Sequence, residues 1–108
     1  MTLNEYQIKA LETATYPREQ RYIYPTLGLN GEAGEVADKV KKVIRDNNGE
    51  FDDEKKLEIA KELGDVLWYI ATLAYEIGYN LDQIAEINYK KLQSRKERGM
   101  ISGNGDNR

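Results

Sequence analysis

From Leu63 to Ile77 nearly every side chain is apolar or aromatic, on all sides of a helical wheel. The stretch Glu58 to Ile77, EIAKELGDVLWYIATLAYEI, therefore predicts a helix buried in a bundle, ending near Gly78. Before it, Val36, Val40 and Val43 recur at helical spacing, joined by Ala33, Ala37 and Ile44. They predict a helix from Pro25, which a first turn tolerates, to about Arg45. The turn Asp46-Asn47-Asn48-Gly49 separates the two, and Asp52 or Asp53 caps the later one. At the start, Thr2-Leu3-Asn4-Glu5 has the form of a capping box and opens a helix to about Ala14. Leu3, Tyr6, Ile8, Ala10 and Leu11 give that helix an apolar face, and Tyr16-Pro17 ends it. The connection from Pro17 to Pro25, rich in Arg and Tyr, reads as a packed surface loop or as one wall of a substrate pocket. A second capping box, Asn80-Leu81-Asp82-Gln83, opens a last helix to about Arg98, with Gly99 as its stop and Ile84, Ile87 and Leu92 on its buried side.

The resulting fold class is all-α, a four-helix bundle-like domain over residues 1–99 followed by a Gly- and Asn-rich tail over 100–108. The tail reads either as a disordered end or as a flap over a ligand. The wide apolar surface of the third helix exceeds what three short helices can cover, so homo-oligomerisation, at least as a homodimer, is expected to complete the bundle, with that helix near the interface.

Composition narrows the chemistry. The net charge of −3 gives no basic field to draw in nucleic acid, and no apolar run approaches a membrane span. The N-terminus lacks the regions of a signal peptide, which makes the cytoplasm the expected location. The chain has neither Cys nor His. Thiolate chemistry and imidazole bases are excluded, and any metal must be a hard ion held by oxygen, such as Mg²⁺ with Mn²⁺ as substitute.

Two positions in the helical pattern are out of place. Asp65 stands inside the apolar helix with Glu62 one turn before it, and a desolvated pair of like charges is costly. Glu32-Ala33-Gly34-Glu35 on the second helix repeats the form of Glu62-Leu63-Gly64-Asp65. Each glycine costs about 1 kcal/mol in a helix interior, and close helix approach at Gly34 and Gly64 would repay it. One Glu-x-x-Glu alone marks a solvated face, and a salt bridge to Lys39 or Lys61 would explain Glu62 and Asp65. Both pairs together favour a metal site of Glu32, Glu35, Glu62 and Asp65.

These motifs resemble the MazG-like all-α nucleoside triphosphate pyrophosphohydrolases. The resemblance runs through Gly28-Leu29-Asn30-Gly31-Glu32-Ala33-Gly34-Glu35, through Glu62-Leu63-Gly64-Asp65-Val66-Leu67-Trp68-Tyr69, and through Asn88-Tyr89-Lys90-Lys91-Leu92-Gln93-Ser94-Arg95. The ending Gly103-Asn104-Gly105-Asp106-Asn107-Arg108 is similar to that of small phage and bacterial members. The resemblance implies Mg²⁺-dependent hydrolysis of a nucleoside or deoxynucleoside triphosphate to the monophosphate and pyrophosphate. It implies the four acids as metal ligands, Asn88, Lys91 and Arg95 as phosphate contacts, and assembly as a homodimer or homotetramer. Lys91 and Arg95, one turn apart, can face one anion. Lys39 joins them as a substrate contact. Trp68, one turn past Asp65, is either a stacking surface for the base or core filling. Without His, a carboxylate takes the proton of the attacking water, with Glu35 the choice and Glu32 not separable from it. Two other classes stand beside this one. A non-catalytic helical dimerisation module would use the acids only as a solvated stripe. A nucleic-acid-binding regulator would use the basic last helix, against the overall acidity.

Overall fold

The computed structural model describes all 108 residues. Four α-helices carry the fold: α1 Leu3–Leu11, α2 Tyr24–Asp46, α3 Asp53–Glu76 and α4 Leu81–Glu97, with a 3₁₀ turn at Arg18–Gln20. Caps read from the sequence hold the starts of α1, α3 and α4, although at α1 only the Thr2 half of the expected capping box forms. The Thr2 hydroxyl accepts from the Glu5 amide at 3.1 Å, and the Asp52 carboxylate, not that of Asp53, accepts from the Lys55 amide at 2.9 Å. At α4 the capping box is complete, because Asn80 accepts from the Gln83 amide while Gln83 accepts from the Asn80 amide. Helix α1 stops three residues short of the expected Ala14, since the amides of Thr13 and Ala14 bond back only three residues, to Ala10 and Leu11.

Helices α2 and α3 pack along their length as an antiparallel pair, and α1 lies across the second half of α3. The buried cluster sits at that crossing and is made of small residues, Ala10, Ala71 and Ala74, with Leu81 from the start of α4. Small side chains let α1 approach α3 closely enough for polar ties. Gln7, buried, donates to the carbonyls of Ala71 and Tyr79, and Asn4 exchanges two hydrogen bonds with Asp82. The apolar face assigned to α1 is therefore rotated: Gln7 is inside, while Leu3 and Ile8 are exposed. On α4, Ile84 is half-buried, but Ile87 and Leu92 are exposed, because the helix touches only α1 and the end of α3. On α3, Ala71, Thr72 and Ala74 are buried as expected, whereas Leu57 and Leu63 stand in solvent.

Those open faces make the single chain extended for its mass. It exposes 7795 Å², against about 6,100 Å² for a compact chain of its mass. Its radius of gyration is 16.7 Å, against about 13 Å for a compact chain of this length. No helix is long and apolar enough to cross a membrane.

The loop between α1 and α2 is fastened to the end of α3. Glu76 accepts the Tyr16 hydroxyl at 2.6 Å and both guanidinium nitrogens of Arg18 at 2.7 and 2.8 Å. Burial and the Glu76 carboxylate push the Tyr16 phenol up to about 12, and the Arg18 guanidinium holds the Glu76 carboxyl below its ordinary value. Arg18 is largely exposed, so the ion pair itself contributes little, and the buried phenol is the costly partner to strand. Glu76→Ala should cost about 1–3 kcal/mol in a urea melt. In the wild type the corresponding stability is present above the ordinary carboxylate pKa and is lost as pH falls through the lowered folded value. A melt of Glu76→Ala that matches wild type at neutral pH would contradict this fastening.

Candidate metal centre

On α2, Glu32 falls on the side that faces α3, and on α3, Glu62 and Asp65 lie one turn apart beside it. Each of the three offers a carboxylate oxygen, and these oxygens all lie within 4.8 Å of one another. Glu32 and Glu62 are half-buried, but Asp65 is exposed, contrary to the expectation of a desolvated carboxylate. Helix α1 covers α3 only from about Trp68 onward, which leaves the turn carrying Asp65 open.

No cation balances the three. Lys39 is half-buried and Lys61 exposed, and neither lies within ion-pair distance of a carboxylate, so the salt bridge that would have explained the acids is absent. Lys39 also borders neither cavity beside the acids. Burial, then the charges of Asp65 and Glu62, raise the Glu32 pKa above the ordinary carboxylate value. Glu35 stands outside the triad and is exposed; of the charges that raise Glu32, its effect ranks last. Three of the four acids expected at one point are therefore together, and Glu35 lies at their edge. The glycines do not act as expected either. A Cβ at Gly34 or Gly64 would meet nothing within 4 Å.

The close approach occurs at Gly28, where a Cβ would fall 2.2 Å from Cε1 of Tyr69. Gly28 is one turn before Glu32 and Tyr69 one turn after Asp65, so this contact brings an aromatic ring against α2 beside the acids. A cavity of about 360 Å³ is bordered by Thr13, Glu32, Asp65, Trp68 and Tyr69. A second, of about 260 Å³, shares Thr13, Trp68 and Tyr69 with it and continues between Tyr16 and Tyr24, whose rings stack at 5.6 Å. Trp68 meets Tyr69 edge-on at 5.0 Å and donates its Nε1 hydrogen to the Thr13 hydroxyl at 2.8 Å. Thr13 spends its own hydrogen on the Ala10 carbonyl, which leaves it an acceptor toward anything in the cavity. Trp68 packs on the buried cluster, as core filling would have it, and also borders the cavity.

A larger cavity, of about 450 Å³ between Asn4, Tyr79 and Glu86, is remote from the acids, and its polar groups are occupied in caps and helix ties. The α4 residues do not reach the acids within one chain. Asn88 is exposed, and Lys91 and Arg95 turn to the tail, where Asp106 meets them at 2.7 and 3.4 Å. They do face one anion, as their spacing implied, and it is the chain's own. The tail itself is folded rather than loose, with Arg108 donating to the carbonyls of Met100, Ile101 and Gly105. Tyr24 belongs to the connection that the sequence offered as a pocket wall, and it does border the second cavity, whereas Thr13, Tyr69 and Gly28 were not singled out as site residues. Only the one-turn spacings of Gly28 and Tyr69 from the acids carried a readable signal.

A model of the MazG nucleotide pyrophosphohydrolase domain matches residues 22–100 of this chain. The Gene 37 protein of Mycobacterium phage L5 is 46% identical over 114 aligned positions, which span 100% of both chains. No solved structure matches.

Proposed function

Because this chain belongs to the MazG nucleotide pyrophosphohydrolase family, we propose that it hydrolyses a nucleoside or deoxynucleoside triphosphate to the monophosphate and pyrophosphate. The observation that carries this reading is a carboxylate triad with no internal cation, opening on a cleft walled by aromatic rings. Carboxylate oxygens alone, without imidazole or thiolate, suit a hard divalent ion, so Glu32, Glu62 and Asp65 would hold Mg²⁺, or Mn²⁺ in its place. Such an ion neutralises phosphate charge and lowers the pKa of a coordinated water. The chain's own residues do the rest. Trp68 and Tyr69 hold the base by its face, while the Thr13 oxygen accepts a hydrogen bond from its edge. Glu35, exposed one turn from Glu32, is free to take the proton of the attacking water, whereas Glu32 is committed to the triad.

A second copy of the chain completes the fold and the site. The excess exposed area is about 1,700 Å², about twice what one partner buries in a standard interface. Leu57, Ala60, Leu63 and Gly64 on the open half of α3 are the apolar surface it would cover. Lys91 and Arg95, out of reach of the acids in their own chain, serve as phosphate contacts across that assembly, with Asn88 beside them. Light scattering at micromolar concentration should give at least twice the chain mass of 12.4 kDa; a monodisperse monomer would contradict the interface.

The test of function is a screen of the common ribo- and deoxynucleoside triphosphates with Mg²⁺. Pyrophosphate and the monophosphate should appear in equal amounts for at least one of them. Release of orthophosphate alone, or no turnover of any, would overturn the reading.

A further inference from the structure

A second carboxylate stands at the far end of the α3 face that carries Asp65. Glu76 follows Asp65 by eleven residues, which is three turns, so the two share a face about 16 Å apart along the axis. Trp68, Tyr69 and Thr72 fill that face between them. Glu76 is poorly placed for stability. Its side chain is 2% exposed, and it is the last residue of α3, where the helix dipole disfavours a negative charge and the last turn holds no basic residue.

Its partners come from the connection between α1 and α2. Every side-chain hydrogen bond between that connection and α3 either ends on Glu76, from Tyr16 and Arg18, or runs from Trp68 to Thr13. Among residues 12–24, Tyr16 alone is buried. It is the anchor of an otherwise superficial segment, and Glu76 is what its hydroxyl donates to. Its ring stacks on Tyr24, and both rings border the cavity that adjoins the one at the acids. No charged residue lines that cavity, whereas Glu32 and Asp65 border its neighbour. The cleft therefore has a charged end suited to metal and phosphate and an uncharged aromatic end suited to a flat neutral ring.

We propose that Glu76 is a positioning residue for the uncharged end of the cleft. By accepting from Tyr16 it holds the α1–α2 connection against α3, and with it the Tyr16–Tyr24 stack that walls this end. Loss of the contact lets the connection move outward, because no other side chain of residues 12–24 is buried to retain it. The acids lie at the opposite end of the same face, so their chemistry is untouched. This role rests on the proposed hydrolysis only for the occupant of the cleft, the base of a nucleoside triphosphate.

The test has two readouts on the full chain. Trp68 is its one tryptophan, so quenching of the emission by acrylamide reports access to the cleft wall with no nucleotide present. Tyr16→Phe keeps the ring and removes only the hydroxyl, which makes it milder than Glu76→Ala. Both should be quenched more readily than wild type. Glu76→Gln, whose amide oxygen still accepts from Tyr16, should match wild type. In steady-state kinetics with a triphosphate that wild type turns over, Tyr16→Phe should raise KM about fivefold, the worth of one hydrogen bond, and leave kcat unchanged. Adding it to Glu76→Ala should raise KM no further, because both act through one contact. Quenching equal to wild type in both Tyr16→Phe and Glu76→Ala would overturn the wall, whether or not any nucleotide is hydrolysed. Raised quenching with an unchanged KM, a loss in kcat instead, or additive effects of the two substitutions would overturn the positioning role. Where no triphosphate is turned over, the hydrolysis reading falls, and the quenching result alone supports or overturns the wall.

Discussion

Asp65→Asn should lower turnover by more than about a hundredfold while leaving the protein folded. Loss of a partner outside a ligand set already costs about 10–100-fold, and Asp65 supplies one of only three oxygens within 4.8 Å of one another. The substitution keeps size and shape and removes one charge from a group that no lysine or arginine offsets. In the absence of metal it should therefore stabilise the protein. The Glu32 carboxyl, raised by burial and then by Asp65 and Glu62, should fall back toward its ordinary value. The sign with pH follows. A carboxyl raised in the folded state binds more protons there than in the unfolded chain, so wild-type stability without metal falls as pH rises through that raised value. Asp65→Asn should flatten this slope. With Mg²⁺ at a hundredfold excess over its dissociation constant the wild type should gain about 2.7 kcal/mol, and the variant should gain far less. Full turnover in Asp65→Asn, with a wild-type melting curve under both conditions, would remove the triad from the mechanism.

The second large effect is expected at a glycine. Gly28→Ala and Gly34→Ala are the same change in the same helix, and helix propensity alone favours Ala by about 0.8–1.0 kcal/mol at both. At Gly34 the new methyl meets open space, so that gain should be realised. At Gly28 the methyl would lie 2.2 and 2.3 Å from Cε1 and Cζ of Tyr69, and the ring must leave its seat on α2. Overpacking of this kind costs about 1–3 kcal/mol, enough to reverse the sign. Because the contact is one turn from both Glu32 and Asp65, KM should rise as the cleft wall moves. Gly28→Ala combined with Tyr69→Leu should recover stability without recovering KM. Two thermal melts and one kinetic comparison check this; Gly28→Ala as stable as Gly34→Ala would contradict the seat.

The helices and their starts were legible in the sequence because they rest on local chemistry. Asn80 with Gln83 closes within one turn, and the valines of α2 recur at a fixed spacing. The acid pairs were legible for the same reason, since residues three apart on a helix must share a face. What failed was everything set by a second element. Asp65 was expected to be dry because its helix is apolar all round, but α1 covers α3 only further along. Gly34 and Gly64 were expected at a close approach of helices, yet it is Gly28 that lies against α3, under the Tyr69 ring, and no periodicity announces where two helices touch. Glu35 differs from Glu32 by one turn in sequence and by about 60° around the wheel in projection, which separates a member of the triad from an exposed neighbour. The polar residues Gln7 and Asn4 hold α1 in place through backbone and side-chain partners more than sixty residues away, beyond any local pattern.

The central claim, that carboxylates from α2 and α3 form one divalent-ion site, is tested most directly by Mn²⁺ titration followed by electron paramagnetic resonance. Loss of the free-ion signal should saturate in the wild type, persist in Glu35→Gln, and weaken sharply in both Glu32→Gln and Asp65→Asn. Binding that is absent in the wild type, or unchanged in both of those variants, would contradict it.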